Sequence, residues 1–312
     1  MIIVDHRDDL GRSAEPPGAA NARSGNMGRH DRLPYGRSTE MNTAQPRRGD
    51  QDEHDAARMI GFLRASMRSQ AERIVDTPTG FAVFSDTYRH SYDHNKFVVT
   101  DTGDLRAVSD TAERVLAAEG CAHRSIVVHD ERLGELLAPQ LLETRHLHVR
   151  DVLMRHDGQP ADRPADPAVI VAEIALDELR DADRDTWQTE LPQVSAEVIE
   201  QLVDRRVTRL RAAPQVTFLG VRDEHGRVVA HADLYLDAAA GIAQIEDVQT
   251  RPAHQGRGLA RAVLDTALRR ARHAGCDMVF LEASVEDWPR RFYARLGFRE
   301  IAVTHLFTRL PA

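Results

Sequence analysis

Gln255-Gly256-Arg257-Gly258-Leu259-Ala260 sets small residues at a junction between an alternating run and a helical one. Before it, Ile242–Thr250 alternates like a half-buried strand, and Arg251-Pro252 ends the run. After it, Leu259, Ala260, Val263, Leu264, Ala267, Leu268 and Ala271 recur at helical spacing. Small residues at such a joint let several backbone N–H groups point at one spot, where the positive end of the helix dipole also lies. That arrangement binds phosphate. A Walker A loop would need Gly-Lys-Ser/Thr, and no Lys follows these glycines. A dinucleotide fingerprint would need a third small residue where Arg261 stands. Two acids, Glu246 and Asp247, lie just upstream; alternation predicts that they face opposite ways and gives Glu246 the parity of Val248.

The elements that must hold this loop are legible on both sides. Val216–Val221 and Val228–Leu236 flank the turn Asp223-Glu224-His225-Gly226, a hairpin signal. Asp277–Ala283 reads as another strand, followed by a short helix ending in Phe292-Tyr293-Ala294-Arg295-Leu296-Gly297-Phe298. From about 169 to 308 the predicted order is strand, helix, helix, three antiparallel strands, helix, strand, helix, strand.

With those flanks, the loop resembles the acyl-CoA loop of the GCN5-related N-acetyltransferases (GNAT), Gln/Arg-x-x-Gly-x-Gly/Ala. Gln255, Gly258 and Ala260 fill its fixed positions, and Phe292–Phe298 resembles the family's Leu/Phe-Tyr-x-x-x-Gly-Phe run. The resemblance implies an α/β (α+β) fold with a mixed, mostly antiparallel sheet flanked by helices. It implies transfer of an acetyl group from acetyl-CoA, as co-substrate, directly to a primary amine on a small molecule or a peptide. It also implies that pantetheine lies along the backbone of Val248, Gln249 and Thr250, and that the diphosphate lies on the amides of Gln255, Gly256, Arg257, Gly258, Leu259 and Ala260. Ser284 and Trp288 fall where family members contact the cofactor, although Val285–Pro289 replaces the Asn common before the last helix. Asp287 is expected to cap that helix.

Amine attack on a thioester needs a base, and the departing thiolate needs a proton. By the resemblance Tyr293 is the acid and Glu246 the base. The alternatives are a core Tyr, a surface acid at a strand end, and a base acting through water from Asp247, Glu282 or Glu190. Thr186–Pro192 is expected to shape the acceptor pocket, with Trp187 either meeting a cationic amine or anchoring the core.

The N-terminal half alternates too: a helix through Ala56, Met59, Ile60, Leu63, Met67 and Ile74, strands at Phe81–Phe84 and Phe97–Val99, a helix near 108–118, a strand at Ser125–Val128, a helix near 131–143 and a strand at His146–Met154. It reads as a degenerate second copy (53–157) without a glycine loop, joined by a Pro- and Asp-rich linker (158–167) to the catalytic unit (168–312). Residues 1–52 lack apolar periodicity and read as a disordered extension, with Met41 a possible true start. Tyr88, His90, Tyr92 and His94 include two His four apart, a metal-pair spacing on a helix. The neighbouring Asp and Asn argue against a helix, so no metal is expected and a cleft or surface position is.

The 312 residues suit about two domains. A net charge of −8 is spread over both halves, so no basic face argues for nucleic acid, and a nucleic-acid-binding role ranks third. No apolar run reaches the roughly 18 residues that cross a bilayer, and Met1–Val4 does not begin a signal peptide. Two cysteines, Cys121 and Cys276, suit a reducing cytoplasm; Cys276 reads as small and buried. A monomer or a homodimer is expected. The competing functional class is a non-catalytic acyl-CoA-binding sensor.

Overall fold

Apolar runs form strands, and every strand among the described residues enters one sheet. The computed structural model describes residues 48–100, 104–158 and 165–311. The first half runs α1 (Arg48–Gln70), β1 (Arg73–Thr77), β2 (Gly80–Phe84), β3 (Lys96–Val99), α2 (Leu105–Ala118), β4 (Arg124–Val128), α3 (Glu131–Glu143) and β5 (Leu147–His156). The second runs β6 (Ala172–Glu173), α4 (Leu176–Glu190), α5 (Ala196–Asp204), a tight helical segment Arg205–Arg211, β7 (Gln215–Arg222), β8 (Val228–Asp237), β9 (Ile242–Thr250), α6 (Leu259–His273), β10 (Met278–Ser284), α7 (Pro289–Ala294) and β11 (Phe298–Arg309).

Most expected elements lie within a few residues of their predicted limits, and Cys276 is buried. Ile74 is a correction: α1 ends at Gln70, and Ile74 sits in β1, paired with Val83 and 39% exposed. The expected extension 1–52 lies outside the described residues up to 47, while Arg48–Asp52 already belong to α1. Of the expected linker, 159–164 lies outside them, as does Met41.

The strand order is β1-β2-β3-β4-β11-β5-β10-β9-β8-β7-β6. Among the described residues only β3–β4 and β9–β10 are parallel pairs, so the sheet is mixed and mostly antiparallel, as expected. Each half contributes an antiparallel run ending in a parallel pair, and the two runs meet head to head. They meet by exchanging final strands. β5, from the first half, pairs with β10 of the second, and β11 pairs with β4 of the first. Between them β5 and β11 pair along their length, from Phe298↔His156 to Thr308↔Leu147.

Helices cover both faces. Against one face lie α2 and α3 over Phe84, Phe97, Ile126, Val128 and Phe307, and α6 over Leu234, Ala243, Ile245 and Leu281. Helix α1 crosses the other face, where Met59 and Leu63 pack on Leu153, Ile242, Met278 and Phe280, residues of three strands. Its Arg58 donates to both carboxylate oxygens of Asp277 at 2.9 Å. An amphipathic helix counted with the first half is thus fixed to the second.

Candidate functional site

β9 and β10 pair at only three positions, Ile242↔Met278, Ala243↔Val279 and Gln244↔Phe280. Past Gln244 and Phe280 the two strands separate, leaving backbone groups of Ile245–Thr250 free of β10. Two consequences follow, one on each side of the opening.

On the loop side, Val248, Gln249, Thr250, Gln255, Gly256, Gly258, Leu259, Ala260, Trp288 and Tyr293 line a groove of about 1060 Å³. Gly256 (φ 75°) and Gly258 (φ 78°) are left-handed, a conformation that penalises any Cβ. No neighbouring atom lies within 4 Å of a Cβ at either position, so conformation and not space demands glycine. Gly258 is the N-cap of α6 and offers no side-chain cap, so the first-turn N–H groups stay open to a ligand acceptor. Gln255 Nε2 donates to the Thr250 carbonyl at 3.2 Å, tying the loop to β9. Buried Thr250 Oγ1 lacks a hydrogen-bond partner. These features fit a diphosphate with an extended polar arm behind it. Arg257 is exposed and does not line the groove.

Tyr293 lies in α7, 7% exposed, its ring edge-on to Phe298 at 6.0 Å between centroids. Burial, then the nearby Glu246 and Asp247 carboxylates, push its phenol above the usual range, so it stays protonated.

On the opposite face a second cavity, about 270 Å³, sits beneath α1 and the Arg205–Arg211 segment. Glu246, Glu282, Asp151 and Ser284 line it. The register sets Asp151 opposite both Ser284 and Thr304, which brings a β5 acid beside β10. Burial raises Glu282 to about 8, helped by Glu246 and Asp151. Burial also lifts Asp151 to about 6, and raises Glu246 against the opposing charge of Arg209. Glu246 accepts from Gln244 Nε2 at 2.6 Å. Ser284, expected on the cofactor, faces this cavity and not the groove.

The predicted parity of Glu246 and Val248 fails. Asp247 has φ 54° and forms a β-bulge, where β9 gains a residue against His231–Asp233 of β8. The phase resets. Val248 packs with Ile245 in the α6 core, while Glu246 faces the cavity. Asp247 is not set on the face opposite Glu246 either: it accepts from Arg206 at 2.6 Å and Arg209 at 2.9 Å. Burial would raise its pKa, but those two guanidiniums hold it well below the carboxylate range, and it is no base.

Arg206 also donates to Asp183 at 2.8 Å and to fully buried Asp233, to which Arg209 donates at 2.7 Å. Tyr235 completes the network on Asp233 at 3.1 Å. The one grouping of metal-type ligands among the described residues, Asp183, His231 and Asp247, has Arg206 as its cation. His94 is held by Ser91 at 2.8 Å and Thr208 at 2.7 Å, while His90 is exposed, so that pair does not converge. Trp187 is an anchor of α4 against α5, with the Arg205 guanidinium 5.0 Å above its ring. Asp287 accepts from Trp288 N at 2.7 Å, one residue earlier than a cap of α7 would.

Residues 175–298 match the acetyltransferase (GNAT) family. Over most of its length the fold is similar to a functionally unknown conserved protein from Staphylococcus epidermidis (TM-score 0.60, 12% identity, 78% of this chain and 96% of that one). It is also similar to a GCN5-related N-acetyltransferase from Kribbella flavida (TM-score 0.56, 20% identity, 82% and 94%). A Drosophila protein aligns with a TM-score of 0.50 at 10% identity, over 86% of this chain and 98% of that one. At such identities the likeness speaks for the fold. No curated protein matches the sequence.

Proposed function

We propose, from the membership of the C-terminal region in the GNAT acetyltransferase family, that the protein is an acetyl-CoA-dependent N-acetyltransferase acting on a primary amine by direct transfer. The observation that carries this is the uncapped, left-handed Gly256/Gly258 start of α6, opening on a groove beside the β9–β10 separation. The thioester supplies the acyl group. The amides from Gln255 to Ala260 hold its diphosphate, and the β9 backbone at Val248–Thr250 aligns the arm. A main-chain N–H near Val248 steadies charge on the reacting oxygen.

The two faces of the sheet then divide the proton chemistry. Tyr293, on the groove side, gives a proton to the leaving sulfur. Glu246, on the cavity side, takes one from the ammonium, with Glu282 next to it as the alternative base. Both acids face the cavity from which an amine would come, and both are pushed toward the pKa range in which a carboxylate can act as base near neutrality.

The start of α2 in the first half does not repeat the uncapped arrangement of α6 among the described residues. Helix α2 is capped by Asp104, which accepts from Arg106 N at 2.9 Å and puts negative charge where a diphosphate would sit. One acetyl-CoA per chain is expected by calorimetry. No helix among the described residues is long and apolar enough to cross a membrane. Assaying an amine panel for CoA release decides the reading. Tight acetyl-CoA binding with no turnover on any amine would leave a cofactor-sensing module instead.

A further inference from the structure

The cavity under α1 holds polar groups that the protein leaves without hydrogen-bond partners. Glu282 and Asp151 make no side-chain hydrogen bond or ion pair among the described residues, and Glu246 has only the Gln244 amide. Facing them across the sheet is Lys96, at the start of β3 in the first half, only 9% exposed and lining the same cavity. Its ammonium lies 3.9 Å from the nearest Asp93 oxygen, too far for a hydrogen bond. Arg205 already takes that carboxylate at 3.0 Å. The other cation facing the acids, Arg209, is committed to Asp233 and Asp247. A buried ammonium without a hydrogen bond is costly, and half-buried carboxyl groups open to the cavity are free to take a ligand's donor. A ligand bearing both signs would answer both.

We propose that the acceptor is a small zwitterionic amine, its ammonium received by Glu246, Glu282 and Asp151 and its anionic end by Lys96. This rests on the acyl-transfer reading above and narrows its substrate class. The acids sit at the strand opening, where the amine must react, and the lysine sits at the far end. Lys96 on β3 and Asp151 on β5 are separated by β4 and β11, three strand spacings or roughly 14 Å of backbone. Side chains lining the cavity from both ends shorten that span, which suits a ligand a few carbon atoms long. That favours an ω-amino acid over an α-amino acid. A diamine would place its second cation against Lys96, and a plain alkylamine would leave Lys96 without an anion. The N-terminal half thereby supplies specificity to a reaction whose acyl donor is held by the other half.

The test compares CoA release with γ-aminobutyrate and β-alanine, with butylamine and propylamine, and with putrescine. Calorimetry of γ-aminobutyrate onto the CoA-bound protein gives a readout independent of turnover. The ω-amino acids should exceed the matched alkylamines and putrescine in kcat/KM. Lys96→Met should collapse that ratio through a roughly 10- to 100-fold rise in KM for the ω-amino acid, with little change in kcat. Should Lys96→Met fail to fold, Lys96→Gln takes its place, and the wild-type ratio stands as a measurement of its own. Preference for putrescine or butylamine, an unchanged ratio in the variant, or acetyl-CoA binding with no ω-amino acid bound or turned over would each overturn the proposal. Absence of acetyl-CoA binding would instead overturn the acyl-transfer reading beneath it.

Discussion

Replacing Glu282 with glutamine tests the chemistry of the carboxylate pair directly. With its carboxyl raised to about 8, the ionised fraction is roughly one in a hundred at pH 6 and one in eleven at pH 7. If Glu282 is the base, kcat/KM climbs close to tenfold per pH unit up to about 8 and then levels. The variant then loses about 10²- to 10⁴-fold, the usual contribution of a positioned base, together with that limb. If Glu246 is the base, the result is opposite in sign. The repulsion that raises Glu282 is mutual, so removing one charge lowers the pKa of Glu246. The acid limb moves down and activity at pH 6 rises relative to wild type.

Stability reports on the same group by a separate route. A carboxyl raised in the folded state costs stability as it ionises, from its unfolded value near 4.5 up to about 8. Below pH 4.5 this penalty is absent, and above 8 it is complete. The melting temperature of Glu282→Gln should therefore gain on wild type between pH 5 and pH 8, by several degrees at the higher pH. Full pH–rate profiles and melts across that range provide the assay. An unmoved acid limb, unaltered kcat and parallel melting curves would refute the argument for both carboxylates at once.

Tyr293→Phe should keep the ring contacts with Phe292 and Phe298 and orphan no hydrogen-bond partner, so the melting temperature should hold while kcat falls about 10²-fold or more; steady-state kinetics and a thermal melt check it. Gly258→Ala meets no steric clash but must hold φ 78°, costing about 1–2 kcal/mol. Calorimetry should show weaker acetyl-CoA binding, and Gly258→Asn should lose less. Arg206→Met strands Asp183, Asp233 and Asp247 around the single remaining Arg209 and should destabilise by roughly 3–5 kcal/mol in urea unfolding.

What could be read beforehand was local. The glycine loop, the Asp223–Gly226 hairpin and the helix of α6 follow from residues adjacent in sequence, where periodicity and turn chemistry act within one element. What escaped depends on partners far along the chain. The extra residue at Asp247 is visible only against β8, and it reassigned Val248 and Glu246 to opposite faces. Asp151 joins the site only because β5 lies beside β10, a pairing that no local pattern encodes. Lys96 gave no signal, since a lysine opening a strand is ordinarily solvated. Arg206 and Arg209 were equally silent, although two arginines three apart above a strand bearing Asp233 could have prompted a search for buried carboxylates. Trp187 was open between two roles, and its aliphatic neighbours on α5 decide for the anchor.

The exchange of β5 and β11 has a bearing on how the chain comes to be folded at all. Until β11 arrives, β4 presents a bare edge and β5 lacks one of its two neighbours, so an N-terminal fragment released early carries exposed pairing groups. Since β11 follows the other described strands in the chain, closure of the sheet must wait until β11 itself has been made. Cutting the chain between its halves should accordingly yield two sticky, incomplete pieces that regain order only when mixed.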